Sequence, residues 1–242
     1  MYNLIKDPNE TIEPIDTSTS YIGYYADIDG DGVVDGVIFA DLAFSKSSVW
    51  PGSINNRGVY SYSAKSNLKQ YYVSKKSYTD KFGTKPVLAP VKNTTGNDRF
   101  YVMALTQKGS YRWWTAAYGH TTAIISATDE GANDFGSGRS KTNSIMNAWN
   151  NNKYSHSSAD IWGNIQTEYA NGWFVASKSE LSAFSHAFGI TSSNYTSFGS
   201  PDSWSSSVPH HSGAYHTKYV WGGIDVNAVN NYYIPLRLAT TF

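Results

Sequence analysis

The chain has 242 residues, with 19 Lys and Arg against 19 Asp and Glu, and a formal net charge of zero. A balanced surface lacks the excess of cations that displaces counterions from nucleic acid, so no nucleic-acid partner is expected. Cysteine is absent, which removes disulfides, thiolate nucleophiles and cysteine-held zinc.

The length suits one large domain that buries its core without staples. Aromatic residues make up 15% of the chain and charged residues only 16%, with 19 Tyr and 8 Trp. Tyr and Trp give large contact area at low entropic cost, so part of this aromatic content is expected on a binding surface. No apolar run reaches the roughly 18 residues that cross a bilayer, so membrane insertion is not expected.

Residues 1–20 are polar, carry Pro8 and Pro14, and read as an N-terminal arm or docking strand. They lack the basic region and apolar run of a signal peptide. Residues 21–242 read as one domain. Strand patterns begin at Tyr21 and resume at 32–43. Residues 45–65 read as a Ser/Gly/Asn loop, 66–75 as a short helix, and Pro86 and Pro90 as turn punctuation. The apolar run 99–105 reads as a buried strand.

Two helices follow. Residues 140–150 place Ile145, Met146 and Trp149 on one face, and 159–170 place Ile161, Trp162, Ile165 and Tyr169 likewise. A strand at 172–176 leads into a helix from Ser177. Ser177 and Glu180 form a capping box, Leu181, Phe184 and Phe188 the apolar stripe, and Gly189 the stop. Short strands and loops complete the chain. Few helices among many short strands give an α+β class.

The Asp-rich stretch 27–36 is the sharpest local motif. Asp27, Asp29 and Asp31 stand at positions one, three and five of a calcium loop, Val33 offers a carbonyl, and Asp35 stands at position nine. Ile38 occupies the place of the bidentate Glu, and the flanks read as strands. The stretch is therefore either a calcium site or a plain Asp/Gly turn between two strands.

Catalytic motifs are missing. No His-Glu-x-x-His and no Gly-x-Ser-x-Gly occurs. The stretch 131–136 begins like a phosphate loop, but Ser137 stands where Lys is needed. His210 and His211 are adjacent and point to opposite faces of an extended segment, which chelates a metal poorly.

The segment 172–181, Gly-Trp-Phe-Val-Ala-Ser-Lys-Ser-Glu-Leu, resembles the Gly-Trp-x-x-Pro-Ser strand and Glu-Leu helix of C-type-lectin-like domains, with Ala176 in place of Pro. Residues 203–207, Trp-Ser-Ser-Ser among them, Ala214-Tyr215 and the closing 236–242 with Arg237 resemble further landmarks of that family, in the same order over about seventy residues. The resemblance implies a C-type-lectin-like fold with its ligand-presenting half at 172–242. Its formylglycine-generating branch needs cysteines, and its calcium lectins need Glu-Pro-Asn or Gln-Pro-Asp with Trp-Asn-Asp; this chain has neither.

The branch it fits best is the variable proteins of diversity-generating retroelements, which vary positions between the Trp-Ser-Ser-Ser signature and the last strand. That likeness implies a ligand surface of Val208, His210, His211, Ser212, His216, Lys218, Tyr219, Trp221, Asp225, Asn227, Asn230, Asn231 and Tyr232. Tyr215, Tyr219 and Trp221 alternate along an extended segment and are expected on one face. The implied partner is a cell-surface protein or glycan, met from a virion tail or a cell surface, with homo-oligomers open. The alternatives are a non-diversified adhesin or carbohydrate-binding module and an enzyme of the formylglycine-generating lineage.

Overall fold

The computed structural model describes residues 14–50, 58–124, 135–199, 202–209, 211–218 and 223–242, apart from the side chains of Lys75 and Lys218. Residues 1–13 of the arm, 131–134 of the Gly-rich stretch, His210, Tyr219 and Trp221 lie outside the described residues.

The architecture is α+β. In chain order the strands are Tyr25–Ala26 (β1), Gly36–Asp41 (β2), Lys46–Trp50 (β3), Gly58–Tyr62 (β4), Tyr71–Asp80 (β5), Gly83–Pro90 (β6), Phe100–Ala104 (β7), Lys108–Tyr111 (β8), Phe174–Val175 (β9), Asp202–Trp204 (β10), Gly213–Lys218 (β11), Gly223–Ala228 (β12), Ile234–Leu236 (β13) and Leu238–Thr241 (β14). The helices are Thr121–Ile124 (α1), Gly138–Asn150 (α2), Ile161–Asn164 (α3), Gln166–Ala170 (α4) and Lys178–Ala187 (α5).

The two most apolar strands form the centre of a seven-stranded sheet ordered β5-β6-β1-β2-β7-β14-β9. β2 and β7 pair antiparallel, with Val37 opposite Met103 and Ile38 opposite Val102. Side-chain alternation divides the apolar residues between the two faces. Val37, Phe39, Tyr101 and Met103 pack with Leu181 and Phe184 of α5. Ile38, Phe100 and Val102 pack with Tyr71, Leu88 and the terminal Phe242.

A smaller sheet, β10-β11-β12, and the pair β8-β13 enclose a second core of Trp113, Trp114, Trp162 and Trp204 with α2 and α3. Trp113 Nε1 donates to the Ser205 carbonyl at 2.9 Å and Trp204 Nε1 to the Tyr111 carbonyl at 2.8 Å. These bonds satisfy the indoles as their rings leave water.

The described part of the arm docks on the body. The Ile15 N–H donates to the Tyr71 carbonyl, and the buried Arg99 holds the carbonyls of Asp16 and Thr19 while pairing side-on with Asp41. Two-pronged charge-assisted contacts of this kind fix orientation as well as adding energy.

Several expectations are corrected. The 45–65 loop contains a hairpin, β3 with β4, whose Trp50 and Tyr60 are buried. It is held because the Ser179 hydroxyl of α5 donates to the Val59 carbonyl. The helix expected at 66–75 is replaced by β5: Asn67 sits at φ 51°, outside the helical region, and Tyr71-Tyr72-Val73 pair with β6. Pro86 and Pro90 lie within β6. They are tolerated because β1 pairs only with Val87 and Leu88, so neither ring faces its ladder.

The helix expected at 159–170 is two short ones, α3 and α4, broken at Ile165 with φ −117°. The intended face is nevertheless inward, with Ile161, Trp162 and Ile165 fully buried. The capping box of α5 forms with both of its hydrogen bonds, and Gly189 follows its C-cap at φ 59°.

Candidate functional site

The Asp-rich stretch connects β1 to β2, which pair antiparallel with Ala26 opposite Gly36. Asp27 organises the loop. Its Oδ1 accepts the N–H groups of Gly30 and Asp31 at 2.8 and 3.1 Å, and its Oδ2 accepts that of Gly32 at 2.9 Å. Gly32 sits at φ 92°, a conformation only glycine adopts at little cost. Asp35 accepts the Ile28 N–H at 2.7 Å. Burial holds the carboxyls of Asp27 and Asp35 above the usual carboxylate range, offset in part by these bonds.

Asp27, Asp29 and Asp35 bring one carboxylate oxygen each within 4.8 Å of one another, the arrangement that could hold a cation. Asp31 is not in this group; its carboxylate turns to the Val33 N–H at 2.7 Å. Lys76 Nζ also stands 3.4 Å from the Gly32 carbonyl, so a positive charge already lies beside the loop.

The C-terminal candidates divide by burial. His211, Asn231 and Tyr232 are exposed, and Ser212, Asp225, Asn227 and Asn230 are half-buried. Val208 and His216 are fully buried. Neither can meet a ligand, and both leave the expected surface. Val208 packs in the tryptophan core. His216 lies with its ring 5.7 Å from that of Trp204, and the Asn227 amide donates to its Nε2 at 3.3 Å.

Tyr215 is corrected with them. The alternation along β11 is real, but both of its faces are covered: Tyr215 packs under α5 with Lys178 Nζ 4.4 Å from its ring, and His216 faces Trp204. The backbone of Lys218 pairs with Asp202 and with Gly223.

The exposed candidates sit on loops at the end of this sheet, where other segments join them. The His211 carbonyl accepts the Thr121 N–H at 3.1 Å, and the Ser212 carbonyl that of Val229 at 3.4 Å. Tyr118, 51% exposed, precedes Thr121 by three residues, and His120 stacks on Tyr154 at 4.8 Å between ring centroids. Tyr233 is 55% exposed and lies against Arg112. Tyr118, His120, Tyr154, Arg112 and Tyr233 were not expected here. The dense Tyr-Arg-Trp-Trp run at 111–114 hints at them, but the pairing that aligns it with 233 is non-local.

Glu180 binds backbone rather than ligand. One oxygen accepts the Ser177 N–H at 2.7 Å, and the other accepts those of Gly136 and Gly138 at 3.0 and 3.3 Å. Among the described residues no helix is long and apolar enough to cross a membrane. No family model, curated protein or solved structure matches the chain.

Proposed function

We propose that the chain is a ligand-binding protein, not a catalyst, with a C-type-lectin-like scaffold that presents its C-terminal loops to a partner. The observation that carries the reading is the separation of side chains around β11 and β12. Trp204, Val208, Tyr215 and His216 are buried, while His211, Asn231 and Tyr232 are exposed, as are Tyr118 and Tyr233. A rigid support under exposed aromatic and amide groups limits the entropy lost on binding.

In its narrower form, the loops are the diversified segment of a retroelement variable protein, displayed on a virion tail or a cell surface. Exposed positions accept substitution at little stability cost, and the burial of Val208 and His216 narrows the variable set to their neighbours. Neighbouring DNA carrying a reverse transcriptase and a near-duplicate template repeat supports this form; their absence contradicts it.

The test of the broader reading is binding of labelled protein to a glycan array and to intact bacterial cells. The variant His211→Ala/Asn231→Ala/Tyr232→Ala is expected to lose binding about tenfold or more. The variant Thr79→Ala/Lys85→Ala, at the distant β5-β6 hairpin, is expected to keep it. Equal loss in both variants, or in neither, overturns the reading.

A second reading concerns calcium. We place it at Asp27, Asp29 and Asp35, without Asp31, because among the described residues these three carboxylates converge. The lack of a bidentate Glu predicts affinity no tighter than roughly the millimolar range.

A further inference from the structure

β8 and β13 pair antiparallel with Tyr111 opposite Ile234. The next position outward therefore sets Arg112 opposite Tyr233. The Arg112 guanidinium lies 4.8 Å from the centre of the Tyr233 ring. It makes no ion pair and no hydrogen bond among the described residues. Its Nε is buried without a partner, and the two terminal nitrogens, equally unpartnered, reach solvent. Asp160, bridged to Arg112 through the backbone, spends its carboxylate on Thr115 and Ser157 instead.

A guanidinium held over a ring, with its outer edge unspent, fits a carboxylate approaching end-on through both terminal nitrogens. Tyr233 is 55% exposed and offers its ring beside the guanidinium. Among the described residues, the exposed aliphatic side chains that would anchor the apolar core of a protein interface are Val33 in the Asp-rich loop, Val49 on β3 and Val73 on β5. A cation over an aromatic ring, without aliphatic anchors of its own among the described residues, matches an acidic sugar better than a protein.

We infer that the Arg112–Tyr233 corner binds a carboxylated glycan, with Arg112 on the carboxylate and the Tyr233 ring on a sugar face. The inference rests on the binding reading above and names its ligand class.

The test is calorimetric titration with two probes, tri-galacturonate and 3′-sialyllactose, each beside its carboxyl-reduced counterpart. At least one acid is expected to bind about ten- to a hundredfold tighter than its reduced form. Arg112→Gln gives up only the contact with the Tyr233 ring and no ion pair or hydrogen bond among the described residues, so it should fold normally and abolish that preference. Tyr233→Phe should keep the preference and Tyr233→Ala should weaken it. Failure of both acids to bind, equal binding of acid and reduced forms, or an unchanged preference in Arg112→Gln overturns the inference. If neutral glycans or cells bind and depend on His211, Asn231 and Tyr232 but not on Arg112, the broader reading stands and this one falls.

Discussion

The Glu180 carboxylate, wholly buried, accepts the Gly138 N–H at 3.3 Å and so joins the starts of two helices. It completes the box of α5 with Ser177 and also serves the first turn of α2, where Ser137 offers no side-chain cap. Two helix N-termini thus face one negative charge, which favours it. Gly138 permits the approach: a Cβ there would stand 2.9 Å from the Ser177 nitrogen and press on the carboxylate.

Glu180→Ala is therefore expected to cost about 2–4 kcal/mol, because buried N–H groups on both helices lose their acceptor. Gly138→Ala should cost about 1–3 kcal/mol through overpacking. Denaturant melts of both variants check this. A loss confined to a few tenths in either removes the shared-cap account.

Trp204 and Tyr232 test the division between support and surface. Trp204→Ala removes a fully buried ring and its bond to the Tyr111 carbonyl, and should cost about 3–5 kcal/mol. Tyr232→Ala, at an exposed position, should stay within about 0.5 kcal/mol of the parent in thermal melts. Similar losses in both would show that the exposed loop is part of the core.

His186 predicts an acid-side loss of stability. Burial, and secondarily Lys46, lowers its pKa below the usual 6.5. Its Nδ1 lies 2.7 Å from the Tyr60 hydroxyl. A depressed histidine is neutral in the folded chain, so the unfolded chain takes the proton first. The contribution is present above about pH 6.5 and is lost as pH falls through the folded value. Melting temperature should fall between about pH 7.5 and about pH 5 in the parent, and less steeply in His186→Gln. Parallel curves would contradict the assignment.

Calcium at about ten times a millimolar dissociation constant should stabilise the parent by roughly 1.4 kcal/mol, a rise of about 3–5 °C in melting temperature. Burial raises the pKa of Asp27 and Asp35, and a bound cation lowers it again, so the rise should grow as pH climbs through and above the ordinary carboxylate range. Asp35→Asn should remove it. No shift in the parent leaves the loop a self-supported turn, held by the N–H groups that Asp27 collects.

What could be read from the sequence followed how local the deciding physics was. The α5 capping box and the β7 run depend on neighbours in the chain, and both appeared where expected. β3, β4 and β5 were hidden because Ser, Asn and Lys dominate their surroundings, and their partners are supplied by α5 and β6. Of the loop candidates, His211, Asn231 and Tyr232 are exposed. The inward turn of Tyr215 and His216 was not legible. Strand alternation predicts two faces but not that α5 covers one and Trp204 the other. Asp31 drops out of the acidic group for a local reason, its bond to the Val33 N–H, that spacing alone does not reveal.

The central claim is that exposed loop side chains bind while the buried sheet only supports them. Its most direct measurement is the dissociation constant of the His211→Ala/Asn231→Ala/Tyr232→Ala variant for the glycan scoring highest on the array, taken beside its melting temperature. The account predicts binding weakened about tenfold or more with melting unchanged. Unchanged affinity in a variant that melts like the parent would contradict it.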